Sequence, residues 1–345
     1  MKKIKRVLVT GNLGYIGSIL TPLLEREGYE VIGLDAGFFE DAHFVARPKV
    51  AIRQIKKDVR AVTQEDLEGV DALIHLAALS DDPQVKLGEK LMMDINAKAS
   101  VKLAKLAKKA GVKRFLFSSS CSTYGKADSN ELVSETSKPN PVSPYGVSKV
   151  EAERGIGKLA DKDFCPVFLR NATCYGISPR MRFDLVVNNL MGYGYTTGEI
   201  KILSDGTPWR PVVHIEDVAG AFIAVLKAPR EHVYNEAFNV GQNEENYQIR
   251  EIADMIAKVI PRATVNCLNA TGPDKRSYRV NFDKIRERTD FHPRWQVSSY
   301  LPFLYKKMVQ DNFSHSQFMS HRYHTLNFFE HLIKAGKLNA NLRWL

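Results

Sequence analysis

Tyr145 and Lys149 stand four residues apart in PYGVSK, a spacing that sets both on one face of a helix. Of the thirteen tyrosines, only Tyr145 has a lysine at that distance. An ammonium beside a phenol favours the phenolate. Lys149 is therefore expected to lower the Tyr145 pKa and ready it to take a proton from a hydroxyl. Alone, the pair is equally an ordinary exposed helix pair. Upstream, SSSCSTYG puts Ser120 at the carboxyl end of the apolar strand KRFLFSSS, where open α/β sheets bind ligands. There Ser120 could share a substrate oxygen with Tyr145. The three suit removal of a proton from an alcohol whose carbon gives up a hydride, with Lys149 also placed to donate to a nicotinamide ribose.

Such residues need a cofactor site, and VLVTGNLGYIGS at Val7–Ser18 reads as one. The apolar run suits a strand buried on both faces. Gly11 can turn tightly off it, Gly14 leaves room for a pyrophosphate, and Gly17 lets the next helix lie close. Tyr15 and Ile16 sit between them, where a helix N-terminus aims amides at phosphates. The spacing is GxxGxxG rather than GxGxxG. A second strand, VIGL, ends in Asp35, whose carboxylate would accept from an adenosine ribose and repel a 2′-phosphate, favouring NAD over NADP. A surface Asp capping a turn is the alternative.

Further elements line the same site. The loop after Asp35 carries Phe38, Phe39 and Phe44 across the adenosine side or packs them on the surface. A third strand near Ala51–Ile55 leads to Asp58 and Val59, placed to meet the adenine. DALIHLAAL, Asp71–Leu79, reads as a fourth buried strand, with Leu76, Ala77 and Ala78 small enough to let a cofactor lie against its end. His75 within it reads as a core histidine rather than a catalytic one. Lys90–Ala110 reads as one long helix, and a helix begins near Tyr145 with Pro144 in its first turn. Alternating strands and helices through residue 170 predict an α/β fold, a Rossmann-like doubly wound parallel sheet with a smaller α/β substrate-binding lobe. The expected division is a cofactor domain over 1–175 with contributions from about 210–240, a substrate lobe over 176–310 and a C-terminal extension over 311–345.

With 345 residues, 44% of them hydrophobic, the chain can bury a sizeable core. No apolar stretch approaches a membrane span, and MKKIKR runs straight into the glycine turn, so a cytoplasmic protein without signal peptide is expected. Cysteines 121, 165, 174 and 267 form no CxxC pair and are assigned no metal. The histidines at 315, 321, 324 and 331 fit no ligand spacing. A net charge of +10 favours anionic partners without choosing among them. RNA binding is disfavoured, because no basic stripe is interleaved with aromatics.

TGNLGYIG, Asp35, Asp58, HLAA, the helix carrying Asn96, SSSCSTYG, PYGVSK, Tyr175–Gly176, NNLM, RPVVHIEDVA and PDKRSY occur in that order. The series resembles an extended short-chain dehydrogenase/reductase of the NAD-dependent epimerase/dehydratase family, which modifies nucleotide sugars, to about residue 310. The resemblance implies NAD as cofactor and Ser120, Tyr145 and Lys149 as catalytic residues. It implies cofactor contacts from Asn96 and Ser118, and nucleotide-sugar contacts from Thr173, Asn189, Arg210 and Arg276. Arginine forks suit phosphate oxygens, so Arg180 and Arg182 join the candidates. ISPRMRFDLVVN also resembles relatives acting on polysaccharide sugars.

In this family a 4,6-dehydratase is expected to carry Asp-Glu after the catalytic hydroxyl, where this chain has Cys121 and Ser122. Reversible oxidation at C4 needs only Ser120, Tyr145 and Lys149. The expected activity is a C4 epimerase of the UDP-glucose 4-epimerase type. A nucleotide-sugar dehydrogenase or 4-ketoreductase would use the same set, and a non-catalytic NAD sensor is the outlying alternative. Helices near 90–110 and 145–160 could pair across a two-fold axis in a homodimer.

Overall fold

The computed structural model describes residues 4–127, 132–268 and 276–345. Residues 1–3, 128–131 and 269–275, the last including the PDK of PDKRSY, lie outside the described residues.

The apolar runs of the first 120 residues become five strands: β1 (Arg6–Thr10), β2 (Glu30–Asp35), β3 (Arg53–Lys56), β4 (Ala72–His75) and β5 (Arg114–Ser120). With Cys165–Asn171 and Ala237–Val240 they form one seven-stranded parallel sheet. Its order is Ala237–Val240, Cys165–Asn171, β5, β4, β1, β2, β3. Strand order reverses at β1, so the connections leaving β1 and β4 part to opposite faces and open a crevice at their carboxyl ends.

Helices α1 (Gly17–Arg26), α2 (Glu89–Met93), α3 (Ser100–Lys109) and α4 (Pro144–Gly157) cover the sheet. Alternation along β1 divides the core. Val7 and Val9 pack with Leu20, Leu24 and Phe222, and Leu8 with Leu103, Phe115 and Ile156. This two-sided burial is why the strands read as continuous apolar runs.

Two expected elements are shorter than their sequence patterns. The fourth strand stops at His75, and Leu76–Leu79 leave the sheet. The helix expected over Lys90–Ala110 is broken by a π-helical turn at Asp94–Ala99. Polar side chains set that turn. Asn96 uses both ends of its amide on the Leu79 backbone, accepting from N and donating to O at 2.8 Å each. Ser100 Oγ donates to Asn96 O at 2.7 Å and lies 2.8 Å from His75 Nε2.

His75 is a satisfied core histidine: its Nδ1 lies 2.6 Å from Thr10 Oγ1, and burial pulls its pKa to about 3. The unfolded imidazole takes up a proton near pH 6.5, which the folded one refuses until about pH 3, so stability falls as pH drops through that window. Urea titrations of a His75→Gln variant should show the loss between pH 6.5 and 5 reduced by about 1.5 kcal/mol relative to the parent.

After Asn171 the chain builds a second body. Thr173–Tyr175, Trp209–His214 and Asn246–Gln248 form a small sheet, and Glu199–Ile202 pairs with Thr264–Cys267. Its core joins Tyr175, Phe183, Met191, Ile252, Leu301 and Leu304. Phe44 belongs here, edge-on to Phe183, Phe313 and Tyr323, and not to the adenosine side. The C-terminal helix Thr325–Lys334 then returns to the first body, where Phe328, Phe329 and Leu332 pack with Leu79, Leu91 and Tyr145. Among the described residues no helix is long and apolar enough to cross a membrane. All four cysteines are free.

Candidate active site

A cavity of about 620 Å³ runs from the glycine turn to the second body. Gly11 holds φ +71° and lies so close to the segment after β4 that a Cβ would stand 2.8 Å from Ala77 N. At Gly17 a Cβ would meet Gly11 O at 2.2 Å, so this glycine packs on the turn itself. Gly14 differs, since its Cβ would touch only Gly11 O, at 3.1 Å, and the residue lines the cavity. No side chain caps α1. Ser18 N and Ile19 N already donate to Gly14 O and Ile16 O at 3.0 Å each, so the turn meets a diphosphate through the open approach at Gly14 and the positive end of α1. Asp35, 9% exposed, accepts from Leu13 N at 3.1 Å and Gly37 N at 2.8 Å and still faces the cavity. These features fit a dinucleotide without a 2′-phosphate.

Every candidate site residue named above lines this cavity except Asn96. Asn96 instead spends its amide on Leu79 and Ser148 and so positions the segment after β4. Tyr15 lines the wall, but its hydroxyl donates to Gly176 O at 2.6 Å, tying the glycine turn to the second body. Asp58 is held by Arg60 at 2.6 Å, with Val59 beside it in the wall.

The proton-transfer candidates converge. Pro144 begins α4, and Ser143 Oγ caps it by accepting from Gly146 N at 3.2 Å. Tyr145 is thereby aimed at the end of β5, where the Ser120 side chain hydrogen-bonds its phenol and accepts from Ser122 N. Lys149 Nζ donates to Ser118 O at 2.8 Å and lies 5.7 Å from the centre of the Tyr145 ring. The expected lowering of the Tyr145 pKa is not found. Burial pushes the phenol up, with Asp82 adding to the rise, while the Ser120 hydrogen bond opposes it. Burial also pulls Lys149 down to about 7, which weakens it as a source of positive charge.

Thr173, Asn189, Arg210 and Arg276 line the part formed by the second body. Asn189 Nδ2 donates to Phe183 O at 2.7 Å, and Arg276 pairs with Asp82 at 2.5 Å and donates to Ser122 Oγ at 3.2 Å. Arg210 donates to Trp209 O and Arg276 O. Arg180 lines the same cavity; it is buried, with its guanidinium 4.0 Å from the Phe39 ring centre and 5.9 Å from that of Phe328. Burial pulls it to about 9.

Sequence reasoning missed Asp81 and Asp82 in the wall, and Arg182 donates to Asp81 there. Two acidic residues directly after a strand end were the available signal. It also missed Thr325, Phe329 and Leu342, which reach the cavity from the C-terminal segment with no motif to announce them.

A nucleotide turn at the switch point of a doubly wound sheet, with Ser120, Tyr145 and Lys149 beside it, defines an extended short-chain dehydrogenase/reductase. The model of the NAD dependent epimerase/dehydratase family matches residues 7–241, and the chain belongs to that family. It is accordingly an NAD-dependent enzyme of the nucleotide-sugar-modifying type. It is 28% identical over 324 residues to an uncharacterized UDP-glucose epimerase, YtcB, of Bacillus subtilis, covering 87% of this chain and 99% of the relative. It is 27% identical to UDP-glucuronic acid decarboxylase 1 of Arabidopsis thaliana, covering 90% and 70%. Among solved structures, MoeE5 in complex with UDP-glucose and NAD is 27% identical, with a TM-score of 0.76, covering 89% of this chain and 99% of that one.

Proposed function

We propose that this chain is an epimerase acting at C4 of a nucleotide-diphosphate sugar through a transient 4-keto sugar. One observation carries the reading: a single cavity joins the glycine turn, the Ser120–Tyr145 pair and the second-body groups Thr173, Asn189, Arg210 and Arg276. Arg210 and Arg276 suit the diphosphate. NAD, held by the glycine turn and Asp35, would supply a hydride acceptor for C4. Tyr145 takes the C4 hydroxyl proton as general base, and Ser120 holds the same oxygen. Lys149 orients the cofactor ribose and supports the phenolate. Once the keto sugar has turned over within the cavity, to be reduced on its other face, Tyr145 gives the proton back to the C4 oxygen.

The groups after Ser120 support an epimerase over a dehydratase. Cys121 is buried and donates to Arg170 O, and Ser122 accepts from Arg276. Asp81 and Asp82 are engaged by Arg182 and Arg276 rather than poised to move sugar protons. In this reading residues 1–175, with about 210–240, serve the cofactor, and 176–310 mainly the sugar. The enzyme works in the cytoplasm as a homodimer, paired through the helices near 90–110 and 145–160. Val147 on α4, 39% exposed, supports that face. Light scattering on a sizing column should return twice the chain mass.

The activity is tested by incubating the purified protein, without added cofactor, with UDP-, dTDP-, GDP- and CDP-sugars. The expected result is a C4 epimer with no net NADH. Stoichiometric NADH would replace the reading with a dehydrogenase.

A further inference from the structure

The adenosine end of a doubly wound sheet opens outward from the strand ends, and here the C-terminal segment lies across it. Leu342 is 1% exposed, lines the cavity, and accepts through its carbonyl from Arg60 Nη2 at 3.2 Å. Arg343 Nη1 lies 3.1 Å from Asp58 Oδ2. Trp344 Nε1 donates to Ala36 O at 2.7 Å, and its ring centre stands 5.6 Å from that of Phe38. Three consecutive residues thus grip the chain just beyond β2 and just beyond β3, the two strands whose ends flank the expected adenosine.

The grip has a firm base and a light edge. Phe329, on the C-terminal helix, packs on Phe38 and Phe39 at 5.4 and 5.5 Å. The tail is closed on itself by Asn339 N donating to Arg343 O at 3.0 Å and Leu345 N donating to Lys337 O at 3.1 Å. By contrast Trp344 is 45% exposed, so the outermost contacts can part without unfolding the core.

We infer that residues 342–344 are a strap across the adenosine end of the cofactor cavity, which slows dissociation of the bound dinucleotide between turnovers. The inference deepens the proposed epimerase reading, because a cofactor that is reduced and reoxidised on one sugar must stay in place. Release through this end requires Arg343 and Trp344 to leave Asp58 and Ala36, so the strap acts on the dissociation rate.

The test loads the protein with NADH, chases it with excess NAD, and follows NADH fluorescence with no sugar present. Replacing Arg343 and Trp344 together by Ala should accelerate release about tenfold or more, with circular dichroism and Tm close to the parent. A chain ending at Gly336 should release NADH at least as fast. Release within about twofold of the parent in the double variant would overturn the strap, whatever the shortened chain does. Since no sugar is involved, this outcome is separate from the activity assay. A slow, strap-dependent release in a protein that makes net NADH would sink the epimerase and leave the strap.

Discussion

Replacing Tyr145 by Phe should lower turnover about a thousandfold while leaving NAD bound, the range expected when a general base is removed from a positioned site. That loss corresponds to about 4 kcal/mol of transition-state stabilisation. Phe keeps the ring, which packs among Leu79, Leu91 and Phe328, so the fold has no cavity to fill. Only the hydroxyl and its hydrogen bond to Ser120 disappear. Bound cofactor, extracted and quantified, should match the parent, because the glycine turn and Asp35 are untouched. Full activity in the variant would remove Tyr145 from the chemistry.

A pair of glycine variants should separate folding from cofactor binding. In Gly17→Ala the new methyl meets Gly11 O at 2.2 Å and Asn12 Cα at 2.6 Å, backbone atoms that cannot turn aside. Overpacking of this kind costs about 1–3 kcal/mol, so Tm should fall by roughly 1–4 °C, and cofactor affinity with it. Gly14→Ala meets only Gly11 O, at 3.1 Å. Its Tm should stay within about 1 °C of the parent, while NAD affinity drops about tenfold or more because the methyl stands where the diphosphate approaches the turn. Calorimetry gives both numbers on each variant. A Gly14→Ala protein that binds NAD as the parent does would place the diphosphate elsewhere.

Buried parallel strands were legible because two-sided burial leaves continuous apolar runs, and Val7–Val9 and Phe115–Phe117 show it. The glycine turn and the Tyr145–Lys149 spacing were legible because backbone approach and helical period restrict residue type. The π-turn at Asp94–Ala99 was not, since lysines and apolar residues keep helical period through it and only the tertiary partners of Asn96 and Ser100 demand the extra residue. The pKa of Tyr145 was misread for a related reason. Spacing gives the distance to Lys149, whereas burial, which dominates, depends on the C-terminal helix, and the next largest effect is the negative charge of Asp82. The reach of Leu342 into that cavity rests on a contact with Arg60, 282 residues away in sequence, which no local pattern records.

In the proposed reaction one cofactor molecule takes a hydride from C4 and returns it to C4 of the same sugar. It is tested most directly with the C4-deuterated form of the nucleotide sugar that turns over, incubated without added cofactor and read by mass spectrometry and proton NMR. The expected product is a C4 epimer with deuterium retained at C4 and none in free nucleotide. Deuterium in released NADH beside an accumulating 4-keto sugar would contradict it.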